Sequence, residues 1–332
     1  MRAIVITSPG GPDVLRVREL PDPVPADDEI LIRVRAFGVN HAETHMRKGE
    51  WPEATPVSGI ECAGTVAADP SGRLAAGTTV VALMGGMGRT RNGSYAEYVA
   101  APAANVVPIR TSLSWPDLAA IPESYATAWS ALTGNLGLMP GQSLLVRGAT
   151  SALGQAAVNI ASDAGATVLA TTRRADRAQL LRSLGAEHVV IDGGQIAGSV
   201  RELVPGGADR VLDLVGNRVL RDSLRAVRPG GRVCQAGFLG GLGPVPEFLP
   251  IADMPSGVQF SFFGSFELGT GELPISGVPL QEIVEKVEAG KYRAAPSRVF
   301  GFGEIADAHR LMESGAALGK LVVAVRTPQA SP

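Results

Sequence analysis

The 332-residue chain reads as an α/β protein, a doubly wound parallel sheet inserted in a mostly β domain. Three observations predict this. From Ser143 onward, five apolar strand-like runs alternate with stretches of helical periodicity. Before about residue 118 the apolar runs are short, β-prone and punctuated by Gly, Pro and Asp. After about residue 266 two helical stretches and a final strand return, so the two ends of the chain are expected to form one domain. The expected bounds are 1–118, 119–266 and 267–332.

Composition narrows the function. The chain is 45% hydrophobic and 19% charged, ordinary for a globular protein, with net charge -2 and pI near 6.1. That balance gives no general attraction to nucleic acid or to an anionic membrane. No apolar run reaches the ~20 residues that span a bilayer. The N-terminus lacks the pattern of a signal peptide, and a cytoplasmic location is expected. Cys62 and Cys234 have no disulfide or zinc-ribbon spacing, and Cys62, within an apolar run, reads as core.

In chain order, Ala3–Ile6 is apolar and β-rich. Glu29–Ala36 alternates over its second half, as a half-buried strand should, and the prolines at 21, 23 and 25 exclude regular structure before it. Cys62–Ala67 and Thr79–Leu83 are further strands. Gly85–Gly93 reads as a flexible loop before a strand at Tyr95–Ala100. Pro116–Leu132 reads as helical. The parallel strands are expected at 143–148, 167–172, 188–192, 210–215 and 231–237, with helices at 152–164, 175–184, 196–204 and 219–227. Val258–Phe266 is the expected sixth strand. Helices at 279–289 and 304–314 and a strand at 320–325 complete the chain.

Chemistry concentrates at Ser143–Arg174. An apolar strand ends at Arg147-Gly148, and a turn of small residues follows. Gly154 and helical spacing come next, then a second apolar strand at 167–172. A βαβ unit of about 30 residues is the size of a dinucleotide site. The unpaired N–H groups of a helix start attract a pyrophosphate, and small residues let it approach. Gly148, Ser151, Ala152, Leu153 and Gly154 are the candidate phosphate contacts. The same residues also suit an ordinary crossover in which they only pack helix on strand. An NAD site usually places Asp or Glu at the end of the second strand. Here that strand ends Thr172-Arg173-Arg174, whose arginines suit a 2′-phosphate, so NADPH is the expected cofactor. Two solvated arginines at a helix start are the alternative. Gly237 and Phe238 follow the fifth strand, at the edge where such cofactors lie.

The order of elements resembles the medium-chain dehydrogenase/reductase superfamily over nearly the whole chain. Gly38-Val39-Asn40 with Glu43, Arg47 and Gly49 is similar to a segment of its zinc-free quinone oxidoreductases, the zeta-crystallin-like branch. Gly59-Ile60-Glu61-Cys62-Ala63-Gly64 is similar to their G-x-E-x-A-G. Ile121–Trp129 resembles the helix before their nucleotide fold. Ala308-His309 to Gly319-Lys320 resembles their C-terminal motif. Two departures stand out: Ser151-Ala152 replaces the usual glycines, and Glu43 the common aspartate.

The resemblance implies a Rossmann domain within a GroES-like catalytic domain. It also implies a reductase transferring hydride from NADPH to a quinone or α,β-unsaturated carbonyl. Enoyl-thioester reduction is the alternative within the enzyme class, and NADPH binding without turnover the alternative outside it. The zinc-ligand positions of related alcohol dehydrogenases fall on Asn40, Ile60 and, nearby, Glu123, so no metal is expected. His41 and His45 stand four apart and lack a cysteine partner.

By resemblance Asn40 faces the nicotinamide, Thr127 contacts its carboxamide or ribose, and Lys320 joins the cofactor-binding set. Asn40 could donate to an acceptor carbonyl or cap the next helix, and Tyr125 could donate a proton or pack. Finally, 258–263 is apolar and β-prone at a sheet edge, and a homodimer through the strand at 258–266 is expected.

Overall fold

The computed structural model describes residues 1–51 and 53–325. In chain order, β1 (Arg2–Ile6) and β2 (Leu15–Glu19) are followed by β3 (Glu29–Val39), α1 (His41–Lys48), β4 (Glu61–Ala68) and β5 (Thr79–Leu83). Next come β6 (Tyr98–Pro102), β7 (Val106–Pro108), α2 (Trp115–Ala119) and α3 (Pro122–Ser130). The alternating stretch comprises β8 (Ser143–Arg147), α4 (Ala152–Asp163), β9 (Thr167–Thr172), α5 (Ala178–Ser183), β10 (His188–Ile191) and α6 (Ala197–Leu203). It continues with β11 (Ala208–Asp213), α7 (Leu220–Ala226), β12 (Val227–Gln235), α8 (Pro250–Asp253) and β13 (Gln259–Phe262). The chain then forms α9 (Leu280–Glu288), β14 (Arg298–Gly301), α10 (Ile305–Glu313) and β15 (Leu321–Ala324).

These elements divide into two compact units, one of residues 1–123 together with the described part of 266–332, the other of residues 124–265. In the first, β14, β15, β3, β4, β5 and β7 form a mostly antiparallel sheet, with β6 on β3 and β1 paired to β2 apart from it. Residues 29–36 of β3 alternate half-buried and buried positions, because the even-numbered side chains there face the core, and 37–39 are buried throughout. That core holds Ile4, Ile32, Phe37 and Leu321, and Phe37 stacks on Tyr95 with ring centroids 4.6 Å apart.

The second unit is a parallel sheet in the order β10-β9-β8-β11-β12-β13. This is the doubly wound Rossmann order, in which strand order reverses between β8 and β11 and ligands lie beyond the carboxyl ends. Strand β8 is buried at every residue, as a central parallel strand covered on both faces must be. The α/β class is therefore as expected.

The differences from these expectations have physical causes. The helix expected at 116–132 breaks into α2 and α3, because Pro122 lacks an N–H and disfavours helical geometry before it. The strand expected at 258–266 is only Gln259–Phe262, followed by a 3-10 turn at Ser265–Glu267. The strand expected at 95–100 runs from 98 to 102, since Tyr95 is taken up in backbone bonds to Ser58 and Ile4. Strands β2, β7 and β14 fell outside the sequence reading; two of them have fewer than five residues, too short for clear alternation. The loop expected to be flexible at 85–93 is a set turn, with Gly93 and Ser94 donating to Val57 and Gly59 at 2.8 and 3.0 Å. Among the described residues no helix is long and apolar enough to cross a membrane.

Candidate functional site

In the second unit the candidate residues gather at the carboxyl edge of the sheet. Gly148 adopts φ +87°, a left-handed turn that favours glycine, and its N–H donates to Thr171 Oγ1 at 3.0 Å. Ser151 is the N-cap of α4: its hydroxyl accepts from the Gly154 N–H at 3.1 Å and donates to Gly148 O at 2.9 Å. The serine that departs from the glycine pattern thus closes the turn itself. A Cβ on Gly154 would lie 2.6 Å from Ala149 Cα and from Gly148 O, so helix and turn meet as closely as backbone allows. The N–H groups of Ala152 and Leu153 stand in the first turn of α4, where the helix offers no acceptor. This cradle fits a pyrophosphate, and a dinucleotide bound there would supply the hydride chemistry.

Around it, Thr172 is buried and its hydroxyl bridges the backbone N–H and C=O of Arg174, each at 3.2 Å. Arg173 is exposed. Arg174 is exposed too and paired to Asp176 at 3.0 and 2.5 Å. Gly237 packs against Leu214, where a Cβ would meet the carbonyl at 2.6 Å, and the Phe238 ring lies 5.8 Å from that of Phe262. Thr127 is buried on α3. Tyr125 is 3% exposed and its hydroxyl accepts from Asn159 Nδ2 at 2.8 Å, which ties α3 to α4.

In the first unit the structure brings together Asn40, Lys320 and several residues that sequence reasoning treated only as motif positions. The Lys320 ammonium pairs with Glu61 and donates to Asn40 Oδ1 at 2.5 Å, all of it buried. Asn40 Nδ2 donates to Glu61 at 3.0 Å and points to Glu43 at 3.4 Å. The other Glu61 oxygen accepts from the Glu123 N–H at 2.8 Å. Burial works to lower the Lys320 ammonium, but the carboxylates of Glu61, Glu123 and Glu43 outweigh it and hold it above its ordinary range. Lys320 is thus engaged within the protein, and the Asn40 amide is held at both ends.

A second series of bonds begins at Arg47, which is wholly buried and contacts Gly10 O, Glu313 and His309. Its polarity can be deduced. Arginine only donates, so His309 Nδ1, 3.1 Å away, must accept. His309 Nε2 therefore carries the proton and donates to the Tyr95 oxygen at 3.0 Å. The Tyr95 proton must then go to Glu43 Oε2 at 2.5 Å. Glu43 also accepts from the N–H groups of Asn40 and Ile60 at 2.7 and 3.0 Å. This accounts for the glutamate where an aspartate is usual: the longer side chain bridges the start of α1, Ile60 and Tyr95. Tyr95 had no sequence signal beyond being aromatic.

The series makes stability depend on pH. Burial and then the Arg47 charge push His309 from its ordinary 6.5 down to about 3, so the unfolded chain takes that proton first and stability falls as pH drops through this window. Burial pushes Glu43 from 4.5 up to about 7, against its donors, so its contribution is present below 4.5 and lost as pH rises through 7. The two oppose each other between 4.5 and 6.5, and below 4.5 only the histidine still changes. We predict that His309→Gln, which keeps an acceptor for Arg47 and a donor for Tyr95, flattens the loss of Tm below pH 4.5. An unchanged acid limb contradicts this.

Metal chemistry fits poorly. Zinc needs three Cys, His or carboxylate ligands around an open position. Ile60 is aliphatic and Asn40 is engaged, and among the described residues no group of three His, Cys, Asp or Glu could hold a metal ion. His41 and His45 do lie on one helix with ring centroids 5.3 Å apart, but His45 Nδ1 is paired to Glu50 at 2.5 Å. Burial pushes the thiols of both Cys62 and Cys234 up to about 12, which makes them core residues rather than nucleophiles.

Comparison with known proteins places the chain in a family. Residues 26–111 match the family described as alcohol dehydrogenase GroES-like domain, and 184–323 the one described as zinc-binding dehydrogenase. The chain is 30% identical over 340 residues to the quinone oxidoreductase of Lama guanicoe, covering 98% of each. The chain belongs to the medium-chain dehydrogenase/reductase superfamily. Relatives named in this superfamily include oxidoreductases, although this chain's residues do not fit the metal in the second description. It is also 31% identical to a phenolphthiocerol/phthiocerol polyketide synthase of Mycobacterium tuberculosis, over 96% of this chain but only 14% of that protein's length.

Similar solved structures include three that each cover 98% of this chain. An NAD-dependent alcohol dehydrogenase has TM-score 0.83, 32% identity and 100% of its own chain covered. A mycobacterial protein complexed with NADPH has TM-score 0.86, 27% identity and 100% covered. CurK enoyl reductase has TM-score 0.83, 25% identity and 99% covered.

Proposed function

We propose that this superfamily member is a metal-independent reductase that transfers hydride from NADPH to a quinone or an α,β-unsaturated carbonyl. The observation that carries the reading is the carboxyl edge of the parallel sheet. It joins a backbone cradle at Gly148–Gly154 to a β9 end without a carboxylate on Thr172, Arg173 or Arg174. The cradle suits a pyrophosphate, and the two arginines suit a 2′-phosphate. A dinucleotide bound there is oriented by Thr172, Gly237 and Phe238 at neighbouring strand ends, as the fold class implies. Asn40, with Lys320 on its oxygen and Glu61 on its nitrogen, is the candidate for orienting the nicotinamide or polarising the acceptor. Thr127 is the candidate for its carboxamide or ribose. Tyr125, engaged with Asn159, is the candidate proton donor from the sequence, and its buried bond weighs against that role.

The likeness to a polyketide synthase and to an enoyl reductase favours one second reading, in which the reduced bond belongs to an enoyl thioester. The test is NADPH consumption by the purified protein with a simple benzoquinone, an enone and a short enoyl thioester. Turnover of the quinone or enone supports the first reading, and turnover of the thioester alone supports the second. Binding of NADPH without any turnover would sink both and leave a binding role.

We also propose a homodimer through β13. This strand ends the sheet, and Phe260 and Phe262 are 43% and 50% exposed on it. An apolar edge with unpaired backbone groups invites a two-fold copy of itself. Phe262→Asp is expected to convert a dimer to a monomer in light scattering at micromolar concentration. A monomeric wild-type protein, or a dimer indifferent to this change, contradicts it.

A further inference from the structure

Arg147 ends β8, directly before the Gly148 turn, and its side chain is wholly buried. A guanidinium in such a place is costly unless every N–H is matched. Here Nε and one terminal nitrogen hold the Asp192 carboxylate at 2.8 and 3.0 Å, and the latter also reaches Gly194 O at 3.0 Å. The other nitrogen reaches Asp222 at 2.9 Å, Ser223 Oγ at 3.0 Å and Val219 O at 3.2 Å. These partners lie in the turn after β10 and at the start of α7.

Two of them pass the constraint on. The Thr171 hydroxyl helps hold the Asp192 carboxyl below its ordinary range, and its oxygen accepts the Gly148 N–H at 3.0 Å. Ser223 donates to Asp213 at 2.6 Å, and Asp213 accepts from the N–H groups of Val215 and Gly216 at 2.8 Å each. Gly148 and Gly216, at φ +87° and +84°, are the left-handed residues at the two far ends of these links. One buried cation therefore ties together the turns after β8, β10 and β11.

We propose that Arg147 is a positioning residue for the dinucleotide: acting through Asp192–Thr171 and Ser223–Asp213, it sets the strand-end turns in their binding geometry before the ligand arrives. This rests on the dinucleotide reading above. Preorganisation of this kind raises affinity by removing the ordering that binding would otherwise require. It predicts a change in dinucleotide affinity from residues that do not touch the dinucleotide.

Arg147→Met strands two buried carboxylates and is a severe change, so Thr171→Val is the primary test, with Thr171→Ser as its control. Valine keeps the shape and the strand preference of threonine but cuts the link from Gly148 to Asp192. The readouts are NADPH binding by fluorescence, Tm, and KM for NADPH against kcat with the best acceptor. For Thr171→Val the expected result is a Kd and a KM raised about 5-fold, the loss of one ordinary hydrogen bond, with kcat within about twofold of wild type. Thr171→Ser should restore the affinity, and Arg147→Met, if it folds, should weaken binding by more than Thr171→Val. A Thr171→Val protein that binds NADPH as wild type does overturns the inference while leaving the dinucleotide reading intact. A wild-type protein that binds no nicotinamide dinucleotide overturns both.

Discussion

Replacing Lys320 by methionine is expected to destabilise the protein by about 3–5 kcal/mol, the usual consequence of removing one partner from a buried ion pair. Lys320 is 4% exposed, and its ammonium is held by Glu61 and Asn40. Without it the Glu61 carboxylate, which is 0% exposed, keeps the donors from Asn40 and Glu123 alone among those described. In a chain of this size the loss corresponds to a drop in Tm on the order of 10 °C. The double change Lys320→Met with Glu61→Gln removes both charges and is expected to recover part of the loss, since contacting residues couple. A single variant within about 0.5 kcal/mol of wild type, as surface changes usually are, would contradict the role assigned to this pair.

The second large effect concerns the proposed NADPH preference. Arg173→Ala is expected to weaken NADPH by roughly 10- to 100-fold, the worth of one charge-assisted hydrogen bond, and to leave NADH nearly unchanged. Arg174→Ala should act in the same direction but less. Its guanidinium is already paired with Asp176, whose negative charge opposes a phosphate beside it. Isothermal titration of both cofactors into wild type and the two variants measures this. Equal affinity of the wild-type protein for NADH and NADPH, or an equal loss for both cofactors, would overturn the reading of the β9 end.

The parallel sheet was legible because its strands are short apolar runs between strong periodic helices. Thr167–Thr172 and Thr79–Leu83 lie where expected to the residue. What escaped was set by contacts between residues distant in sequence. Val106–Pro108 and Arg298–Gly301 are strands only because they pair with β5 and β15. The turn before α4 was legible as a motif, since small residues between an apolar strand and a periodic helix are a local signal.

The buried network was not legible. Asn40, Glu43, Glu61, His309 and Lys320 stood in separate resembling segments, and nothing local says that two series of hydrogen bonds join them. Tyr95 and Arg47 complete those series, yet as single residues in a sequence they look like packing and a surface charge. Arg147 escaped for the same reason: its partners lie 45 to 76 residues away, and only the sheet order brings them to one point.

The proposed reaction moves hydride from a bound nicotinamide to an electron-poor double bond. The most direct measurement incubates it with NADPH carrying deuterium at both C4 positions and a cyclic enone, then locates the label by NMR. The expected product is a saturated ketone with one deuterium at the β-carbon, and none at that carbon when unlabelled NADPH is used in deuterated water. Reduction with the β-hydrogen drawn from solvent, or reduction that proceeds without NADPH, would contradict it.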